Sequence, residues 1–330
     1  MLGMGQHRRI IQITMSYRRH LFTVLTPTFN RAHTLARVYN SLAEQTFQDF
    51  EWLVIDDGST DNTRELVMQW QQQARFPIRY IWQENAHKKT AFNHGVREAR
   101  GELIVALDSD DSLDMNALYV MAQAWSAMDP SERSAFVAIT GLCARPDGHI
   151  VGDMFPSDVF DTTSIDMSFK HHVKGEKFGC MRTEVLRRFP FPEDIPGFVP
   201  ESVVWRAMAR AGYLTRFVNQ VFRVYYEGDG ESLTGHSRST GGASHALGLW
   251  LLAQDTVVEC LPWFKYRPQE FFAAAARYTR FSLHIKRNGQ ALPRGRSLHG
   301  LRSRLLVALM WPVGVALYLR DIRTSRPLGV

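Results

Sequence analysis

The chain has 330 residues, 45% of them hydrophobic and 22% charged, with 23 glycines and 14 prolines. These fractions exclude a mostly disordered, collagenous or multi-span membrane protein and leave room for one large α/β domain with appendages or for two modest domains. The net charge of +6 is uneven, because residues 1–20 carry +4 and residues 277–330 carry +10, which leaves −8 for the 256 residues between. Basic tails around an acidic body point to an anionic membrane surface. A nucleic-acid binder would place its basic residues on the folded face. Cys143, Cys180 and Cys260 form no CxxC pair or metal-like spacing, so a disulfide framework and a structural zinc are not expected and a reducing compartment is.

Residues 1–20 read as a basic extension without a secretory signal, since Ile10 to Met15 is short and is interrupted by Gln12 and Thr14. From Leu21 short β-rich runs alternate with helical stretches. The runs are Phe22–Thr26, Trp52–Asp56, Ile78–Trp82 and Leu103–Asp108, and the helical stretches are Thr34–Gln45, Asn62–Ala74 and Lys89–Arg100. Near-continuous apolar strands separated by helices predict βαβ units, a mostly parallel sheet with helices on both faces. A helix at Met115–Met128 and a strand at Phe136–Cys143 continue the pattern, while 145–177 is mixed. Further on, Ser202–Ala211 reads as a helix, Thr215–Val218 and Val221–Tyr226 as two short strands, and Phe271–Ile285 as a helix with an apolar face. Gly228–Gly242 has five glycines and the composition of a mobile loop. Within it, His236 and Arg238 are candidates to fold over a bound donor, the alternative being an exposed linker.

Ligands of such sheets bind beyond the carboxyl ends of the strands. Polar clusters follow each of the first four: Thr26–Arg31, Asp56–Asp61, Glu84–Lys89 and Asp108–Asp111. Any one is ordinary turn chemistry, and Asp61 reads as the N-cap of the next helix. Four on one edge describe a site. Asp108, Asp110 and Asp111 crowd three carboxylates where a single Asp would make the turn. A cation relieves that crowding, and hard oxygen ligands without His or Cys select Mg2+ or Mn2+, which would bridge a diphosphate. Lys88 and Lys89 follow a strand end and are candidates for phosphate contact beside Asn85 and His87.

TPTFNR at 26–31, SLAEQTFQDFEWLVIDDGSTDNT at 41–63, AFNHGVREARGELIVALDSDD at 91–111 and FVPESVVW at 198–205 together resemble glycosyltransferase family 2, the inverting, nucleotide-sugar-dependent enzymes of GT-A fold. The resemblance runs from about Leu21 to Tyr226. It implies a catalytic domain over 21–230, with a nucleotide-sugar half to about residue 113 and an acceptor half from 114, followed by a helical basic and apolar extension over 231–330. It also implies that Pro27, Phe29 and Asp57 meet the nucleotide base, where a carboxylate accepts from a pyrimidine N3–H, and that Asn85 and Lys88 join the nucleotide-sugar site. Asp108 or Asp110 would face the ribose or sugar, and Asp110 or Asp111 would hold the metal. Glu201, which opens the Ser202 helix, takes the place of the family's general base, and Ser202 stands where a second acid is usual. Glu176 is the next carboxylate for the acceptor side, whereas Glu184 reads as helix surface.

The implied activity is hexosyl transfer from a nucleoside-diphosphate sugar, with UDP as the expected carrier, to a glycan or lipid-linked hydroxyl. A nucleotidyltransferase would need a Gly/Lys/Arg-rich loop after the first strand, and Thr26–Arg31 has no glycine. A membrane-attached, non-catalytic scaffold would be marked by loss of the carboxylates or the base, and both are present. Finally, Leu305–Leu319 is an uncharged run of 15 residues between Arg304 and Arg320. As a helix it reaches roughly 22 Å, short of a hydrocarbon core of roughly 30 Å, and Pro312 is expected to interrupt it. The expectation is a re-entrant or in-plane membrane helix that anchors the chain at the cytoplasmic face, the alternative being a buried helix packed on the domain.

Overall fold

A computed structural model describes residues 20–226, 245–293 and 295–324. The loop expected at 228–242, with His236 and Arg238, lies outside the described residues, as do residues 1–19. Four strands, β1 (His20–Thr28), β2 (Phe50–Asp56), β3 (Ile78–Trp82) and β4 (Gly101–Ala106), alternate with α1 (Ala32–Ala43), α2 (Thr63–Gln73) and α3 (Lys88–Glu98). The chain continues through β5 (Ser112–Leu113), α4 (Ala117–Ser126), β6 (Phe136–Ala144), β7 (Val159–Thr162), α5 (Ser164–Phe169), β8 (Lys177–Arg182), α6 (Thr183–Arg188), α7 (Ser202–Arg210) and β9 (Leu214–Val224). Three further helices follow, α8 (Ala246–Val258), α9 (Pro268–Arg287) and α10 (Leu301–Thr324).

The strands form one sheet in the order β3-β2-β1-β4-β8-β6-β9-β5, with β7 also on β9. The first four are parallel and β8 is antiparallel to both its neighbours. Alternation along the buried strands divides their side chains between two cores. Val24, Trp52, Val54, Leu103 and Val105 face α1, α2 and α4, whereas Leu25, Leu53, Ile55 and Ile104 face α3, α6, α7 and α8. All seven residues of β2 are buried, as a central strand covered on both faces requires.

Three departures from the sequence reading have physical causes. The residues expected as two strands after 214 form the single strand β9, which stays continuous because its register against β6 shifts at Thr140/Leu142 and at Leu142/Cys143. Pro312 does not end its helix, and α10 runs for 24 residues through it. Pro312 and Ala308 are exposed, so the carbonyl that loses its partner can be solvated. The layer covering the sheet also extends past residue 230, since Trp250 and Leu251 of α8 and Phe281 and Ile285 of α9 join the same core as α3 and α7.

Candidate active site

The register sets the edge. Thr28 pairs with Asp56 and Asp56 with Trp82, so β1, β2 and β3 end level and deliver their loops to one side. Pro27 is buried two residues past the last β1–β4 pair, where its missing N–H costs no bond to β4. Phe29 is 47% exposed at the rim, a ring face open to solvent.

The loops after β1, β2 and β3 are stitched together by side chains. Asn30, at φ 53°, donates its N–H to Ser59 Oγ at 2.9 Å and accepts from Thr60 N at 2.8 Å through Oδ1. Asp56 accepts from Ser59 N at 2.8 Å and from the Tyr80 hydroxyl at 2.5 Å. Asp57, 2% exposed, accepts through Oδ1 from Gln83 Nε2 at 2.7 Å and Ala86 N at 2.9 Å. Its Oδ2 takes no part in this network. Asn85 donates to the Asp57 carbonyl at 2.8 Å, which makes its amide a brace between two loops. The backbones come so close here that a Cβ on Gly58, at φ +87°, would lie 2.9 Å from Asn85 N. Only glycine fits. Asp61 lies one residue before the Asn62 N-cap of α2, yet its carboxylate accepts from Thr63 N at 3.1 Å and also from Ala32 N at 3.0 Å, tying two helix starts together.

The two lysines part company. Lys89 is buried and faces Asp57 and the Glu193–Asp194 pair, whereas the exposed Lys88 brings Nζ to 2.6 Å from Asp108 Oδ1. Although its side chain reaches solvent, the protein packed around Lys88 partly desolvates the ammonium and pulls it down, but the charges of Asp108 and Glu201 overcome this and hold it above the ordinary lysine value. Asp108 shows the reciprocal effect: desolvation would raise it, and Lys88 with Arg223 brings it below the usual carboxylate range. β4 ends at Ala106, earlier than the expected Asp108, so the carboxylates sit on the loop beyond it, with the Asp110 carbonyl held by Arg37 Nη1 at 2.5 Å.

Asp108, Asp110 and Asp111 place one carboxylate oxygen each within 4.8 Å of the others, a donor set that fits a hard divalent cation. The three differ in what already holds them. Asp111 is buried between Arg223 Nη1 at 3.4 Å and Tyr226 N at 3.3 Å, and burial pushes its carboxyl up to about 7 against the pull of Arg223. The Asp110 side chain makes no hydrogen bond or ion pair among the described residues. It is the carboxylate with both oxygens open.

Glu201, about 90 positions along the chain, is folded back to this cluster. It occupies the N-cap of α7 but makes no capping hydrogen bond, so helix capping does not account for it. Desolvation raises its carboxyl above the ordinary glutamate range; Lys88 and Arg223 oppose this, and Asp108 and Glu176 add to it. Glu176 precedes β8 and meets Arg223 Nη2 at 3.4 Å, while Glu184 pairs on the surface with Arg182. Arg223 is the residue the sequence reading missed. A lone charge inside the apolar run Val221–Val224 was its signal, because a buried Arg within a strand must have partners.

The parallel half-sheet, its antiparallel complement and a polar carboxyl edge define the GT-A class of nucleotide-sugar folds. Among solved structures, S. aureus TarS 1-349 in complex with UDP shares this fold with TM-score 0.53 and 17% identity, over 93% of each chain. The mannosyltransferase PcManGT from Pyrobaculum calidifontis, in complex with GDP-Man and Mn2+, matches at 0.51 with 18% identity, over 94% of this chain and 89% of its own. Residues 23–131 match the family model for glycosyl transferase family 2. The chain thus carries a family 2 glycosyltransferase domain.

An uncharacterized glycosyltransferase of Nostoc sp. is 37% identical over 107 residues, 32% of this chain, and the match spans a third (33%) of that relative's length. The putative teichuronic acid biosynthesis glycosyltransferase TuaG of Bacillus subtilis is 23% identical over 76% of this chain and 88% of its own. The GalNAc(5)-diNAcBac-PP-undecaprenol beta-1,3-glucosyltransferase of Campylobacter jejuni is 25% identical over 62% of this chain and 63% of its own.

Proposed function

We propose that this protein transfers a hexosyl group, with inversion, from a nucleoside-diphosphate sugar to a hydroxyl of a glycan or lipid-linked acceptor. The observation that carries the proposal is the convergence of Asp108, Asp110, Asp111, Lys88 and Glu201 on one edge. UDP is the favoured carrier, in keeping with the TarS complexes with UDP and with UDP-GlcNAc. Asp57 Oδ2 and the face of Phe29 suit a pyrimidine base. A lipid-linked acceptor is in keeping with the GalNAc(5)-diNAcBac-PP-undecaprenol beta-1,3-glucosyltransferase of C. jejuni.

Mg2+ or Mn2+ on Asp110, with Asp108 or Asp111, would supply charge neutralisation for the leaving diphosphate. The chain's own groups do the rest. Lys88 is placed to exchange Asp108 for a phosphate oxygen. Glu201 takes the proton of the acceptor hydroxyl while the acceptor oxygen bonds to the anomeric carbon and the bond from that carbon to the diphosphate oxygen breaks. The nucleoside diphosphate leaves with the bonding pair. An enzyme of this kind would work at the cytoplasmic face of an anionic membrane, which the buried free thiols Cys143, Cys180 and Cys260 and the basic C-terminal segment favour. A panel of nucleotide sugars tested for metal-dependent hydrolysis decides the matter. Turnover of at least one UDP-sugar that stops on chelation is expected, and no turnover of any donor would remove the proposal.

A further inference from the structure

How the chain would meet a membrane is written in α10. The helix is 24 residues long, about 36 Å at 1.5 Å per residue, with a mean hydropathy of 1.6 over its most apolar window. By length and composition it would span a bilayer. One face, however, is bound to the catalytic body. Ser303, Leu306, Val307, Gly314 and Asp321 are buried against α9 and its neighbours. A Cβ on Gly314 would lie 2.6 Å from the Ala276 carbonyl oxygen, so the helices touch backbone to backbone. Asp321, 3% exposed, accepts from Arg280 Nε at 2.6 Å and Nη2 at 2.8 Å and lies 2.9 Å from His284 Nε2. A helix that left for the bilayer interior would strand these charges.

The opposite face is apolar and open. Leu301, Leu305, Leu309, Val313 and Leu319 are 72, 60, 66, 46 and 46% exposed. At 100° per residue they fall on one side of the helix, with Pro312 and Ala316 between them and the buried residues on the other side. No charge interrupts this stripe between Arg304 and Arg320, while the exposed Arg302, Arg304, Arg320 and Arg323 close its two ends. A stripe of this length is more than a water-facing surface ordinarily shows, and terminal arginines match lipid phosphates, not a neutral protein groove.

We propose that α10 lies in the plane of an anionic bilayer, its outer stripe sunk into the headgroup boundary and its inner face kept on α9, so that a rigid helix pair seats the catalytic domain on the lipid. This rests on the membrane part of the proposed function and is independent of the sugar-transfer part. The test uses the full chain and vesicles of phosphatidylcholine with phosphatidylglycerol. Co-flotation of the wild type is expected, with loss of tenfold or more in Leu305→Glu/Leu309→Glu, and with about fivefold weaker partitioning for each of Arg302, Arg304 and Arg320 changed to Gln. Both positions in the double variant are exposed, so its melting temperature and its UDP response should match wild type; if it is unfolded, the arginine series decides alone. Trp311, 55% exposed beside the stripe, reports depth when wild type and Trp311→Phe are compared. Quenching by lipids brominated near the headgroup supports the in-plane pose, and quenching from the bilayer centre overturns it. Wild-type partitioning by the charge and leucine variants overturns it too, as does a soluble dimer that the double variant dissolves. A protein that floats as expected but transfers no sugar would leave this inference standing while the catalytic reading fell.

Discussion

The two halves of the site are built in opposite ways. Beyond β1, β2 and β3 the polar side chains are already occupied: Asn30, Asp56, Asp57 and Asn85 bond to neighbouring loops at 2.5–2.9 Å. On the acceptor side, the Glu201 side chain makes no such bond among the described residues and is governed instead by burial and by the charges of Lys88, Asp108, Arg223 and Glu176. A satisfied network holds a ligand in one pose without reorganising, whereas a reacting carboxylate must keep its lone pairs for a proton or a cation. Binding and chemistry are therefore expected to separate under mutation.

The largest effect should come from Glu201→Gln, which keeps the shape and loses the proton acceptor. Turnover should fall roughly a hundredfold or more with donor affinity nearly unchanged. Wild-type turnover in this variant would move the role of base to Glu176. Next comes Arg223→Leu, which leaves Asp111 buried without its ion pair. Denaturant unfolding should show a loss of about 3 kcal/mol, the scale for breaking one side of a buried pair. An unchanged midpoint would mean that Arg223 holds nothing together.

Asp57→Asn should act on the other half. It removes charge from a bonded loop, so KM for the donor should rise about tenfold with kcat at saturation retained. The smallest effect is a displacement of the pH profile. As base, Glu201 must be unprotonated, and its raised carboxyl places the acidic limb of kcat above the ordinary glutamate range. Lys88 pulls that carboxyl down, so Lys88→Met should move the limb to higher pH, while Glu176→Gln should move it slightly lower. Movement in the reverse directions would show that the two carboxylates and the lysine do not share a field.

Most of the donor half was legible in the sequence, because four apolar runs and four polar clusters place their loops at one edge by topology alone. Glu201 could be located by its motif, but its approach to Asp108 depends on β8 and β9 completing the sheet, and no local pattern encodes that pairing. Arg223 stayed hidden for the same reason: its partners Asp111 and Glu176 are 112 and 47 positions away. Pro312 misled because a helix breaker is tolerated where the freed carbonyl can be solvated. The region 145–177 was unreadable, since the short β7 and α5 are held by contacts with β9 and α7 instead of by their own periodicity.

The division between binding and chemistry is tested most directly by calorimetric titration of UDP, with and without Mn2+, into wild type, Asp110→Asn and Glu201→Gln. Metal-dependent binding to wild type and to Glu201→Gln with the same affinity is expected, with loss of that binding in Asp110→Asn. Equal binding by Asp110→Asn, or loss of binding in Glu201→Gln, would contradict that division.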